Sequence, residues 1–243
     1  MLLHTDPLYK IFFGDTKTQY INCANQKNKK KNVLFAEWPF AFVKKKLRAR
    51  DLIFLQQVHS ATGVSINTDE QLTQLEPFTH RGDFIVTNLP HIGIGVATAD
   101  CVPIVLFDPI RRVISVIHAG WRGSLEGVAC NALTTMKKKF SCVPEHIRVF
   151  FGPSVTKQSY IVGDEVIKQV SVLDCAEDVL QYTHNNVYFD LPLFNRIMLE
   201  QMGIKKDAFH LNYNYDTITE SAFCSYRAHG ERTGKNLTIA MLT

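Results

Sequence analysis

Apolar positions along this chain fall mostly into short, dense runs, each bounded by turn-forming residues. The clearest pair is 102–107 (VPIVLF) and 113–117 (VISVI), separated by Asp108, Pro109, Ile110, Arg111 and Arg112. Val- and Ile-rich runs parted by a Pro-containing turn predict two buried strands of a hairpin or meander. Further strands are predicted at 9–13, 52–58, 83–87, 92–97, 147–151, 187–190 and 237–242. The spacing changes after Ser124. Leu125, Val128, Ala129, Ala132, Leu133, Met136 and Phe140 recur every three or four residues, which marks one buried face of a helix starting near Ser124. Lys137, Lys138 and Lys139 near its end suit the negative end of the helix dipole. Shorter helices are predicted at 163–172 and 191–202, and roughly helical spacing at 33–48 with Pro39 as an interruption or start. Residues 14–17 read as a turn; 22–32 and 67–82 read as loops. Strands cluster and then helices cluster, without the regular alternation of a doubly wound sheet. The expected class is α+β with mixed sheets. No repeat or linker divides residues 1–243, which read as one domain.

Composition narrows the classes. At 46% hydrophobic residues, the chain can bury a core and does not read as disordered. The net charge of +4 is concentrated in lysine runs at 29–31, 44–46 and 137–139. No aromatic residues interleave with them, so they read as solvated faces and no nucleic-acid partner is expected. No apolar stretch approaches membrane-spanning length and no signal-type segment opens the chain, so a cytoplasmic location without a membrane partner is expected. None of the six cysteines forms a Cys-x-x-Cys pair, which argues against a zinc ribbon or a thioredoxin motif and for free thiols.

The candidate chemistry lies at the strand ends. Cys101 opens the first run of the central pair and His118 closes the second, so a tight meander brings a thiol and an imidazole to one sheet edge. A glycine-punctuated loop, Ala119-Gly120-Trp121-Arg122-Gly123, follows and leads into a helix. Helix-start amides and the Arg122 donor fork suit an anion. His59 ends another predicted strand. Two imidazoles and one thiolate are a three-ligand set of catalytic zinc, although spacing alone does not join His59 to a cysteine 42 residues later.

A family resemblance makes that join. Gln57-Val58-His59, Arg81-Gly82-Asp83, Thr98-Ala99-Asp100-Cys101-Val102-Pro103, His118-Ala119-Gly120-Trp121-Arg122-Gly123, Gly152-Pro153-Ser154, Ser225-Tyr226-Arg227 and Thr233-Gly234 occur in that order. The chain resembles the YfiH or laccase-domain family, also called the polyphenol oxidase or purine nucleoside phosphorylase family, from about His59 to its C-terminus. The resemblance implies one α/β/β/α layered domain with mixed sheets. It also implies zinc held by His59, Cys101 and His118, the same three residues serving as the catalytic centre. Implied substrates are purine nucleosides and phosphate: phosphorolysis of adenosine, inosine, guanosine and methylthioadenosine, and hydrolytic deamination of adenosine. Arg122 and Arg227 are the expected substrate contacts. Lys17 is a third, at the nearest equivalent of a Ser-Thr-Arg segment. Lys235 stands where the family usually has Arg, and Asp216 where it usually has Cys.

Other readings remain open at this level. Copper is the alternative metal, as a single site on His59, Cys101 and His118 with an axial Met. The nine histidines contain no His-x-His pair of the kind a trinuclear copper cluster requires. A cysteine hydrolase or deamidase would use Cys101 as nucleophile and His118 as base. Peptidoglycan-precursor editing is associated with some family members, and a non-catalytic binding protein is the remaining class.

Overall fold

The computed structural model describes residues 1–21, 34 and 36–243; the expected polar loop at 22–32 and its lysine run lie outside the described residues. Two mixed sheets stack face to face. One has the order β1 (Leu2–Thr5), β2 (Tyr9–Phe13), β14 (Asn236–Leu242), β6 (Ile92–Thr98), β3 (Asp51–Phe54). The other has the order β13 (Phe209–His210), β9 (Arg148–Phe151), β7 (Val102–Asp108), β8 (Val113–Ala119), β5 (Phe84–Thr87), β4 (Gly63–Ile66). The β3–β6, β4–β5 and β13–β9 pairs are parallel and the rest antiparallel. A small third sheet joins β10 (Ile161–Val162), β12 (Val187–Phe189) and β11 (Leu180–Tyr182).

Helices close both outer faces. Helix α1 (Phe40–Leu47) packs Phe40, Val43 and Leu47 against Phe12, Leu52, Phe54 and Ile239 of the first sheet. Helix α4 (Val128–Phe140) buries Val128, Ala129, Ala132, Leu133 and Met136 on the second sheet, beside α7 (Leu191–Gln201), with the short α5 (Asp164–Val170) and α6 (Ala176–Val179) between them in the chain. The result is the expected α/β/β/α layering in an α+β fold. It also explains the central apolar runs. Strands β7 and β8 lie inside a sheet covered on both faces, so every residue of both is buried. Val105, Phe107, Ile114 and Val116 fill the space between the sheets. Val102, Ile104, Leu106 and Ile117 face the helices. The intervening turn is closed by Asp108 Oδ1, which accepts from the amides of Ile110 and Arg111 at 2.9 Å each.

Three expectations are corrected. The strand predicted over 52–58 ends at Phe54. Beyond it the Gln57 side chain takes over the pairing with β6, its amide group donating to Ala97 O (3.0 Å) and accepting from Ala97 N (2.8 Å). The helix predicted from Ser124 is two helices, α3 (Trp121–Leu125) and α4, parted at Gly127 with φ +84°. The loop predicted over 67–82 contains α2 (Asp69–Thr73), whose first turn Thr68 caps through Gln71 N. No helix among the described residues is long and apolar enough to cross a membrane.

Candidate metal centre and cleft

The β7–β8 register sets the first two candidate ligands. Val102 pairs with Ala119 and Pro103 with His118, so Cys101, just before β7, stands beside the C-terminal end of β8. His59 arrives on a loop after β3, with its own backbone in the left-handed region at φ +59°. One ligand atom from each of His59, Cys101 and His118 lies within 4.8 Å of the others. Cys101 Sγ is 3.9 Å from His59 Nε2, and the two imidazole centroids are 4.8 Å apart at 76°. This is the only group of three such side chains found among the described residues.

Asp83 orders the centre, and the sequence reading gave it no role. Its carboxylate is 1% exposed. Oδ1 accepts from the amides of Val58 (3.1 Å) and His59 (3.0 Å), and Oδ2 from the amide and hydroxyl of Ser60 (2.8 Å each). Oδ1 also stands 2.8 Å from His118 Nδ1. One buried side chain thus shapes the loop that presents His59 and orients the His118 ring with Nε2 free for the cluster. Burial opposes ionisation of Asp83, but hydrogen bonds from His118 and Ser60, with the His118 charge, hold its carboxyl below the usual range. A local pattern could not reveal this, because the partners lie 23 to 35 residues away.

The two glycines of the Gly-Trp-Arg-Gly segment have steric reasons. A Cβ on Gly120 would meet Cys101 Sγ and His59 Cδ2 at 3.0 Å each; one on Gly123 would meet Ser60 O at 2.9 Å. Without metal, the thiol and imidazole polarise each other. Burial pushes the Cys101 thiol up, but the His118 charge and hydrogen bonds from His118 and His59 outweigh it and bring it down to about 6. Burial pushes His118 down, while the Cys101 thiolate and the Asp83 carboxylate raise it to about 9. A soft thiolate, two imidazoles, a carboxylate behind one imidazole and a glycine cradle fit a divalent transition metal.

The cluster opens into a cleft of about 730 Å³. Tyr20, Phe78, Tyr160 and Tyr226 supply aromatic walls, with Tyr20 and Phe78 stacked at 5.2 Å and 4°. Burial pushes the Tyr160 phenol up to about 12, so it remains a neutral hydroxyl at physiological pH. Of the expected substrate contacts, Arg227 lines the cleft; Arg122 and Lys17 are not among its lining residues. Arg122 is exposed, pairs with Glu165 at 3.0 Å and stacks 4.3 Å from the Trp121 ring centroid. Lys17 is exposed, one residue after the start of a 3₁₀ turn capped by Asp15. Lys235 joins Arg227 in the lining, its Nζ 5.9 Å from the Tyr226 ring centroid. Neither cation forms an ion pair among those found between described residues, whereas Arg50, Arg122, Arg148 and Arg196 do.

A family model described as multi-copper polyphenol oxidoreductase laccase matches residues 15–243. The chain belongs to this laccase-domain family. Among its curated relatives, a purine nucleoside phosphorylase of Rickettsia prowazekii is 28% identical over 211 residues, 84% of this chain and 82% of the relative. An adenosine deaminase, RL5, from an unknown prokaryotic organism is 30% identical over 198 residues, 77% of this chain and 74% of the relative. The laccase-domain fold is shared with the hypothetical protein YfiH of Bacillus licheniformis, whose crystal structure matches with a TM-score of 0.83 and 20% identity, covering 97% of this chain and 93% of that one.

Proposed function

We propose that this protein is a zinc-dependent purine nucleoside enzyme that phosphorolyses nucleosides such as adenosine, inosine, guanosine and methylthioadenosine and deaminates adenosine hydrolytically. The observation that carries the reading is the His59–Cys101–His118 cluster at the floor of a cleft with aromatic walls and two cations, Arg227 and Lys235, in its lining. Relatives named as purine nucleoside phosphorylases and as an adenosine deaminase support the substrate class. When bound, zinc would act as a Lewis acid and bring the pKa of water to about 7. The chain's own residues do the rest. Asp83 fixes the His118 ring and the His59 loop. The aromatic walls take a planar base by stacking. Arg227 and Lys235 draw phosphate to the cleft, Arg227 as a donor fork and Lys235 as a point charge. Arg122 and Lys17, held outside the lining, are assigned the weaker role of steering anions toward it.

Incubation of the zinc-loaded protein with adenosine, followed by chromatography, tests this. The expected products are adenine and ribose phosphate only when phosphate is present, and inosine with or without it. Absence of both products from a fully loaded protein would overturn the reading. His118→Ala is expected to lose both activities together; survival of either would separate the two centres.

A second reading has its own support: Cys101, His118 and Asp83 stand in the order of a cysteine–histidine–aspartate triad. In that case chelation raises activity, because metal blocks the nucleophile. In the zinc reading chelation abolishes it.

A further inference from the structure

Asp100 occupies a backbone conformation that does not suit its side chain. Its φ is +87°, a region glycine enters freely and an L side chain rarely. Such strain persists where surrounding contacts over-determine it, and here those contacts can be named. The Asp100 carbonyl accepts from Val155 N at 2.9 Å. Oδ1 accepts from the Thr217 hydroxyl at 2.8 Å. Oδ2 accepts from the Arg227 amide at 2.7 Å, within α8 (Tyr226–His229). Val155, Thr217 and Arg227, all distant from Asp100 in sequence, meet on this residue, and the next residue in the chain is Cys101.

At its N-terminal end the segment carrying Arg227 is tied to β14: Cys224 N donates to Asn236 Oδ1 and Asn236 Nδ2 to Cys224 O, at 2.9 Å each. The Ser225 hydroxyl accepts from Ala228 N at 3.1 Å, which is internal to the turn. The Arg227 side chain donates to Ile161 O at 2.9 Å and lies 5.5 Å from the Tyr160 ring centroid. Residues 226–229 are exposed. The carboxylate of Asp100 is therefore the link between the backbone of this exposed arm and the residue next to Cys101.

We propose that Asp100 is a positioning residue: its carboxylate holds the Tyr226–His229 arm, and with it the Arg227 guanidinium, at a set distance from Cys101, so that an anionic substrate group bound by Arg227 is presented to the metal centre. Presentation of the substrate rests on the nucleoside activity proposed above; the hold on the arm does not. From this glycine-type φ the carboxylate reaches both the Thr217 hydroxyl and the Arg227 amide.

Asp100→Gly separates this from a plain turn role. Glycine relieves the strained φ, so a turn former replaced by glycine keeps wild-type behaviour and equal or greater thermal stability. If Asp100 positions the arm, amide hydrogen exchange across 226–229 accelerates about tenfold in Asp100→Gly, the effect of losing a charge-assisted hydrogen bond. KM for phosphate rises by a similar factor and kcat changes less. Asp100→Asn, which tolerates the same φ and keeps one acceptor, restores most of both. Thr217→Val removes one donor without touching the strained residue and shifts exchange in the same direction, by about threefold. Wild-type exchange across 226–229 in both Asp100→Gly and Thr217→Val would overturn the proposal, and if the glycine variant does not fold, the result for Thr217→Val decides alone. Should the wild-type protein cleave no nucleoside, the exchange measurement still decides the mechanical claim, so its failure and the failure of the nucleoside reading are distinguishable.

Discussion

At the residue scale the geometry of the cluster depends on groups outside its three candidate ligands. Asp83→Asn keeps the volume but weakens the acceptor that serves three backbone amides, the Ser60 hydroxyl and His118. Metal affinity is expected to fall about 10- to 100-fold, measured by competition with a chromogenic chelator. Gly120→Ala puts a methyl group 3.0 Å from two ligand side chains and is expected to lower affinity at least about tenfold, since such centres tolerate displacements of only about 0.5 Å. Wild-type affinity in either variant would contradict these roles. In the metal-free protein the depressed Cys101 pKa predicts alkylation that persists as pH falls and is half lost near pH 6, with added metal protecting the thiol. The stability consequence has a definite sign. Cys101, lowered from 9.0, adds stability that is lost as pH falls through about 6; His118, raised from 6.5, adds stability that is lost as pH rises through about 9. Between about 6.5 and 9 the two slopes cancel, because the folded state has moved a proton from thiol to imidazole without changing its number. Metal-free stability from this pair is expected to be flat across that window in denaturant titrations and to fall below it.

At the element scale the β7–β8 hairpin does the positioning, and its stability is open to test. Ile104 is fully buried between that hairpin's sheet and the helices. Ile104→Ala is expected to cost about 2–5 kcal/mol in urea unfolding, and a loss below about 1 kcal/mol would place the core elsewhere. This hairpin was legible in the sequence because burial on both faces leaves a continuous apolar run, and Pro103 sits near the strand start, where its missing N–H does least harm. The α4 face was legible through its 3.6-residue period. What escaped has physical reasons. Gly127 reads as one more residue in a helical stretch until its positive φ is seen. Strands β4, β10, β11 and β13 have two to four residues each, and β4 and β13 pair in parallel with distant segments, so no local alternation marks them. The early end of β3 depends on Gln57 replacing a backbone partner, a substitution that leaves no periodic trace. That Cys101 and His118 come together was legible from the hairpin register, and that His59 joins them from the family resemblance. Asp100 was marked only by its place beside Cys101, and the partners of Asp83 and Asp100 come from contacts across the fold.

At the scale of the whole molecule, two sheets from distant parts of the chain close on one cleft, so ligand binding and folding are linked. The first sheet supplies the Gln57–Ala97 pairing beneath the His59 loop, and the second supplies Cys101 and His118. Metal that binds only the folded chain raises stability by about 2.7 kcal/mol at a free concentration 100 times Kd, and thermal melts with and without zinc are expected to show that shift in the wild type and to lose it in Cys101→Ala. The proposed function requires that His59, Cys101 and His118 together hold the metal. Its most direct test is metal content after loading with zinc and desalting, measured by mass spectrometry on the wild type and on Cys101→Ala. One zinc per wild-type chain and none in the variant is the predicted result. Full occupancy in Cys101→Ala would contradict it.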